Sequence, residues 1–469
     1  PDLLDPMDRL VRQSLVTVER DARSPVARYR LLESIAAFAR RRLDAIGESE
    51  TVARRYVAYY AALTRAAADR LHGPEQAAQL ARLDQGLDNV LAALEWACGN
   101  ADAEQAVALA AALAPYWHRR GHFSEGSGWL ERVLAIPAAP SAERIAALTG
   151  FATLATPSGR FDEAEGALEQ ALALARATGE RRAEARAHDT RGVLARGRGD
   201  LDNAREHHET AFALWTESGD RRGAAGSRSN LGLLANIRGD LPAAERLYLE
   251  AWSLVDGTGD LATAAAVLAN LGEVSARAGR PRAAAEFYER ALAIVRTLGD
   301  PVRSAILVGN AAEVRLVLGE TDAALELAAE AVAAFRAVGD KIQLAGALYV
   351  QGVALAATPR RGTALATLRE ALALYRQLGN WVDAAQTIEA MAGLFVAAGD
   401  VILPARWLGG AETIRAREGV EPYPLFDYAG TLAALRAADA DGGIAPAWAE
   451  GQALAPDELV SDALHRGRL

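Results

Sequence analysis

Lysine is almost absent. Lys341 is the single lysine among 51 basic residues, and a phosphate-binding loop needs a Gly-Lys-Ser/Thr step whose amides and ammonium hold phosphate oxygens. Lys341 lies between Asp340 and Ile342, so these 469 residues contain no Walker A motif. Cysteine is equally scarce: Cys98 alone excludes an internal disulfide and a multi-cysteine zinc site, and fits a reducing, cytoplasmic compartment. Long apolar runs are missing too. The longest uncharged stretch, Ile342 to Pro359, has 18 residues and is rich in Ala and Gly, which is short and weakly apolar for a membrane span. No basic-then-apolar leader opens the chain, which starts at Pro1 rather than Met, so a segment of a longer protein is expected. A formal charge of −10 argues against a basic surface for wrapping nucleic acid, and no direct nucleic-acid or membrane partner is expected.

What is present is repetition. Gly179, Gly219, Gly259, Gly299, Gly339 and Gly379 fall 40 residues apart, each followed by an acidic or amide side chain. A second series, including Gly199, Gly239, Gly279 and Gly319, falls halfway between them, with Pro359 at the one position that lacks the glycine. A left-handed helix stop followed by a capping side chain every 20 residues predicts helix, tight turn, helix, tight turn. Apolar residues at three-and-four spacing, as in Leu247, Ala251 and Leu254, agree. Small residues recur where paired helices must approach: Gly192, Gly232, Gly272 and Gly352 in the first helix, Ala251, Ala291, Ala331 and Ala371 in the second.

At these residues the pattern resembles the tetratricopeptide repeat in a 40-residue version. Asn230-Leu231-Gly232, Gly239, Ala244, Tyr248 and Ala251 fall at its characteristic offsets, and the set from Asn270 to Ala291 repeats them. Departures are Arg228 and Leu268 in place of the early aromatic, and Ala311-Ala312 in place of Leu-Gly. The expected fold is all-α: a tetratricopeptide-like right-handed superhelix of about eight helix pairs over 103–417. Residues 1–50 read as helix, hairpin, helix, a winged-helix remnant with strands at Leu15–Glu19 and Arg28–Leu32 around 20–27 and Ser34 capping the second helix. Residues 51–102 read as a helical adaptor and 418–469 as capping helices.

The run Arg28-Tyr29-Arg30-Leu31-Leu32-Glu33-Ser34-Ile35, with Gly121-His122-Phe123 and Ala405-Arg406-Trp407-Leu408, resembles the region after the nucleotide-binding domain in bacterial STAND signalling ATPases of the AfsR and LuxR type. That resemblance implies a sensor region that binds an inducer or partner and releases an autoinhibited ATPase lying before Pro1, which would be the only place for ATP. The competing expectation is a free-standing repeat scaffold or peptide receptor with no ATPase.

In a curved stack the first helices line the inner face, so positions 40 residues apart form a ladder. Asn230, Asn270 and Asn310 are such a ladder, and amides suit a peptide main chain. Glu273 and Glu313 lie one turn further on, beside Arg277 and Arg315; Arg186, Thr190 and Arg196 would form a more basic end. The alternative is that the asparagines bond within and between repeats. His118 and His122 are four apart, but Gly121 breaks the shared face, and no metal is expected. His208 occupies the packing offset of Tyr248. The Gly257-Thr258-Gly259-Asp260 stretch matches a dinucleotide fingerprint only formally, since no strand precedes it. No constellation for acid-base or covalent catalysis is found.

Overall fold

The computed structural model describes residues 4–19, 28–71, 73–100, 102–420, 425, 427–439 and 442–467. The chain forms two compact units, one of residues 1–69 and 79–178, the other of 70–78 and 179–469.

The first unit opens with α1 (Leu4–Arg12), then the antiparallel strands β1 (Val16–Glu19) and β2 (Arg28–Leu31), with Val16 opposite Leu31, followed by α2 (Glu33–Ile46) and α3 (Ser49–Asp69). The expected turn over 20–27 lies outside the described residues. Helix α2 starts at Glu33 with Leu32 at the cap position and no side-chain cap bond. The end of β2 sets that start, and Ser34 lies inside the helix. No residue of α2 is buried, and Leu31, Leu32, Phe38 and Ile46 stand exposed. Helix α4 (Gln76–Gly99) precedes two pairs: α5 (Ala103–Arg120) with α6 (Phe123–Leu134), and α7 (Ala142–Ala155) with α8 (Phe161–Thr178). Trp117 is fully buried here, and a Cβ on Gly126 would come within 2.8 Å of it, so α5 and α6 close only on a glycine.

Six pairs build the second unit: α9 (Arg181–Gly197) with α10 (Leu201–Glu217), α11 (Arg221–Ile237) with α12 (Leu241–Val255), α13 (Leu261–Arg277) with α14 (Pro281–Leu298), α15 (Pro301–Val317) with α16 (Thr321–Val338), α17 (Lys341–Ala356) with α18 (Arg361–Leu378), and α19 (Trp381–Val396) with α20 (Ile402–Glu418). The short helices α21 (Tyr428–Ala437), α22 (Ile444–Gln452) and α23 (Pro456–His465) end it. The Gly-Asp joints work as the sequence predicts. Gly239 turns the chain at φ 79°, and the Asp240 side chain accepts from the Ala243 backbone N–H. Asp200, Asp220 and Asp300 cap their helices the same way, and Asp260 does so on Thr263, which makes the glycines at 257 and 259 turn chemistry.

Several pairs close through a small-to-large contact. A Cβ on Gly232 would lie 2.7 Å from the Tyr248 ring, on Gly272 2.7 Å from Tyr288, and on Gly192 2.6 Å from His208. The sequence departure at Ala312 is compensated: the residue at the ring position of that pair is Ala328, and both are buried. Ala291 is also fully buried. Ala291→Leu is expected to cost about 1–3 kcal/mol by overpacking; a thermal melt at or above the wild-type midpoint would refute this pairing.

First helices touch their neighbours, α9 with α11, α11 with α13, α15 with α17 and α17 with α19, whereas consecutive second helices make at most marginal contact among the described residues. First helices therefore lie on the inner wall of the curve and second helices on the outer. At the far end α20 and α22 meet backbone to backbone: a Cβ on Gly451 would fall 1.8 Å from the Arg406 carbonyl oxygen, and one on Gly409 2.4 Å from that of Trp448. Beside them the Arg415 Nε donates to Glu389 at 2.6 Å with both residues buried, and the guanidinium lies 4.7 Å from the Tyr428 ring centre.

Candidate ligand-binding groove

The inner wall of the second unit contains a cavity of about 260 Å³ formed where three first helices adjoin. Helix α15 contributes Ile306, Asn310 and Glu313; α17 contributes Gln343, Tyr349 and Val350; α19 contributes Asp383 and Gln386. Phe335 and Tyr375 reach in from the second helices α16 and α18. Gly309 and Gly346 leave the space open: a Cβ on Gly309 would meet nothing within 4 Å, and one on Gly346 only the Tyr375 hydroxyl at 3.8 Å.

Two tyrosines give the cavity wall its polarity. Tyr375 is 5% exposed, and its hydroxyl has no hydrogen-bond partner among the described residues. Burial, then the charge of Asp383, pushes its pKa well above 10. Burial likewise raises Tyr349, with Glu389, Tyr375, Glu313 and Asp383 adding to it. Asp383 accepts a hydrogen bond from the Asn380 amide at 2.7 Å, and burial lifts its carboxyl above the usual range against that bond. Lys341, at the start of α17, is exposed and lies 3.5 Å from the Gln377 side-chain oxygen.

The structure separates the residues singled out from the sequence. Asn310 and Glu313 are together in the cavity. Glu273 and Arg277 instead clasp Asn236 of the preceding pair. The Asn236 amide donates to Glu273 at 2.9 Å, and Arg277 donates to the Asn236 carbonyl at 3.2 Å and to its side-chain oxygen. Asn270 donates weakly to Ser229 at 3.4 Å, another link between pairs, whereas the half-buried Asn230 has no side-chain partner among the described residues. Thr190 bonds back to the Arg186 carbonyl of its own helix at 3.0 Å, and Arg196 is half-buried near the end of α9. Arg186 stays open to water while protein surrounds it closely, as on a concave wall. Its pKa falls, first through desolvation and then through the Arg222 guanidinium, against Asp220 and Asp189.

His208 is fully buried and belongs to the packing: its Nδ1 lies 3.0 Å from Asp189, which also accepts from Trp215 at 2.8 Å and Ser227 at 2.8 Å. His122 lies 3.3 Å from Glu125 and stacks edge-on with Tyr116, while His118 stacks with Phe123. Among the described residues no group of three or more His, Cys, Asp or Glu side chains could hold a metal ion. Nor is any helix among them long and apolar enough to cross a membrane. The sequence reading missed Gln343, Tyr375, Asp383 and Gln386. The signal was available, since Gln343 and Asp383 are 40 residues apart, as are Phe335 and Tyr375, and Ile306, Gly346 and Gln386 form one register. Asparagine drops out of the ladder at Val350, and polarity continues on a neighbouring row.

Helix pairs of this length, closed by small-to-large contacts and lining a groove with their first helices, define a tetratricopeptide-like repeat fold. The comparisons agree: residues 143–217, 184–255 and 223–297 match the tetratricopeptide repeat. HTH-type transcriptional regulators of Mycobacterium bovis and Mycobacterium tuberculosis are 34% identical over 132 residues, 28% of this chain, which spans only 14% of their length. A signal transduction ATPase with numerous domains carrying a tetratricopeptide repeat sensor, from Pyrococcus horikoshii, superposes with a TM-score of 0.62 at 15% identity, over 94% of this chain and 61% of its own. The apo quorum sensor NprR of B. thuringiensis gives 0.52 at 15% identity over 72% of this chain and 99% of its own. A Rap protein complexed with competence and sporulation factor gives 0.50 at 12% identity over 86% of this chain and 99% of its own. At these identities the structural likenesses carry the fold.

Proposed function

We propose that this chain is the ligand-sensing and protein-interaction region of a cytoplasmic STAND-type bacterial regulator, acting by binding rather than catalysis. The observation that carries this reading is the cavity built by three consecutive first helices on the inner wall of the second unit. A peptide, protein or small inducer held there would favour one arrangement of the repeats, shifting a resting-to-active equilibrium by no more than its differential affinity for the two states. The likeness to a STAND protein with a repeat sensor and to transcriptional regulators supports the regulator role. So does the apolar exposure of Leu31, Leu32, Phe38 and Ile46 on elements that bury little of themselves, a face suited to packing against a further domain of the same protein. ATP would be bound by that further domain. The second reading, a free-standing peptide receptor, is favoured by the match over 99% of the NprR and Rap chains. A Gly-Lys-Ser/Thr codon run upstream in the same reading frame selects the first; a start codon immediately before Pro1 selects the second.

Asn310→Ala and Asn270→Ala test the groove itself. Both are expected to weaken partner binding with helicity unchanged, Asn310→Ala the more because it lines the cavity while Asn270 also ties two pairs together. Circular dichroism with titration of the co-purifying partner checks this. Equal losses of helicity and affinity would assign both amides to holding the repeats.

A further inference from the structure

We propose that the cavity between α15, α17 and α19 binds an organic cation, a guanidinium or primary ammonium on an apolar stem of the size of an arginine or lysine side chain. This deepens the groove reading above and rests on it.

The charge in the cavity is of one sign. Glu313 and Asp383 line it, and no Lys, Arg or His does. Asp383 has no cationic partner among the described residues; the hydrogen bond to its side chain comes from the neutral Asn380 amide. The nearby Glu389 is already satisfied by Arg415, so the uncompensated negative charge lies on the cavity side of α19. A half-buried carboxylate without a counter-ion is destabilised relative to one that is paired, and a bound cation removes that penalty.

The second, independent observation is Tyr375. Its side chain is more than nine-tenths buried, its hydroxyl is unpartnered, and it reaches into the cavity against Gly346. A hydroxyl that faces the cavity without a protein partner offers its oxygen to a ligand N–H. The oxygens of Asn310, Gln343 and Gln386 add acceptors, enough for the several donors of a guanidinium or ammonium. Phe335 adds an aromatic ring to the wall, and Ile306 and Val350 an apolar surface for the stem of the cation. The volume, about 260 Å³, equals roughly nine waters at ~30 Å³ each, which suits a side chain.

Isothermal titration of the intact chain with acetyl-Ala-Arg-Ala-amide, its citrulline counterpart, acetyl-Ala-Glu-Ala-amide and free agmatine decides the matter. The expected result is that the arginine peptide binds at least tenfold more tightly than the citrulline peptide, and the glutamate peptide more weakly still. Tighter binding of the peptide than of agmatine identifies a side chain on a peptide as the source, and the reverse identifies a free amine; either supports the cation site. Asp383→Asn and Tyr375→Phe should each weaken arginine-peptide binding at least fivefold. Gly346→Leu, which fills the cavity without changing charge, should abolish it, with circular dichroism confirming the fold of all three. Equal affinity for arginine and citrulline peptides, preference for glutamate, or undiminished binding in Gly346→Leu would overturn the cation proposal while leaving a peptide groove intact. Failure of every probe would overturn both.

Discussion

Arg415→Met is expected to destabilise the protein by about 3–5 kcal/mol, because it strands a charge inside the C-terminal repeats. Glu389 is 1% exposed and Arg415 7%, so neither can exchange its partner for water. Methionine keeps most of the aliphatic bulk of arginine, so the loss is electrostatic and not a cavity. The pH dependence identifies the cause. Burial already raises the Glu389 carboxyl above its ordinary 4.5, with Arg415 opposing through charge and hydrogen bond. Without Arg415 the rise is larger. A carboxyl with a raised folded pKa binds its proton more tightly folded than unfolded, so its contribution is fully present below the unfolded value and lost as pH rises through the folded one. Denaturation midpoints of the variant should therefore fall further below wild type at pH 8 than at pH 5. Adding Glu389→Leu should recover most of the loss; a deficit that is independent of pH and not recovered would mean that Arg415 acts through its packing on Tyr428.

Gly451→Ala carries the other large effect, and its sign is informative. Alanine in place of a glycine within a helix ordinarily gains up to about 1 kcal/mol, less in the last turn, where Gly451 lies. Here the added carbon would fall 1.8 Å from the Arg406 carbonyl oxygen, on backbone that cannot rotate away, while Gly409 allows the same closeness one register along. The helices must separate, and a loss of about 3 kcal/mol or more is expected. Gly86→Ala in α4, whose Cβ would meet nothing within 4 Å, is the matched control and should be neutral or stabilising. A Gly451→Ala protein melting with the control would show that α20 and α22 do not close in this way in solution.

The repeats were legible because their punctuation is local. A glycine at positive φ and an aspartate accepting from the third helical N–H are properties of five consecutive residues, repeated with a period of 40. The small-to-large contacts were half legible: Gly232 and Gly272 were recognisable as close-approach positions, but the exchange of a ring for Ala328 opposite Ala312 needs the pairing to be seen in space. The site was the least legible part. Asparagine at 230, 270 and 310 is conspicuous, yet Glu273 and Arg277 turn inward onto Asn236, and only Asn310 and Glu313 enter the cavity. A side chain on the inner wall can bond sideways to the next repeat or forward into the groove, and spacing along one helix does not distinguish these. Tyr375 was hidden for a further reason, since it belongs to a second helix yet reaches between two first helices.

The scarcity of lysine acquires a practical meaning from where the one lysine stands. Lys341 is exposed at the first turn of α17, two positions before Gln343 on the cavity wall. Acylating reagents thus have a single side-chain amine to modify in 469 residues. A fluorophore attached there would sit at the rim of the groove without a cysteine having to be engineered, and its emission would report occupancy directly. The protein carries its own labelling address beside the site where a ligand is expected.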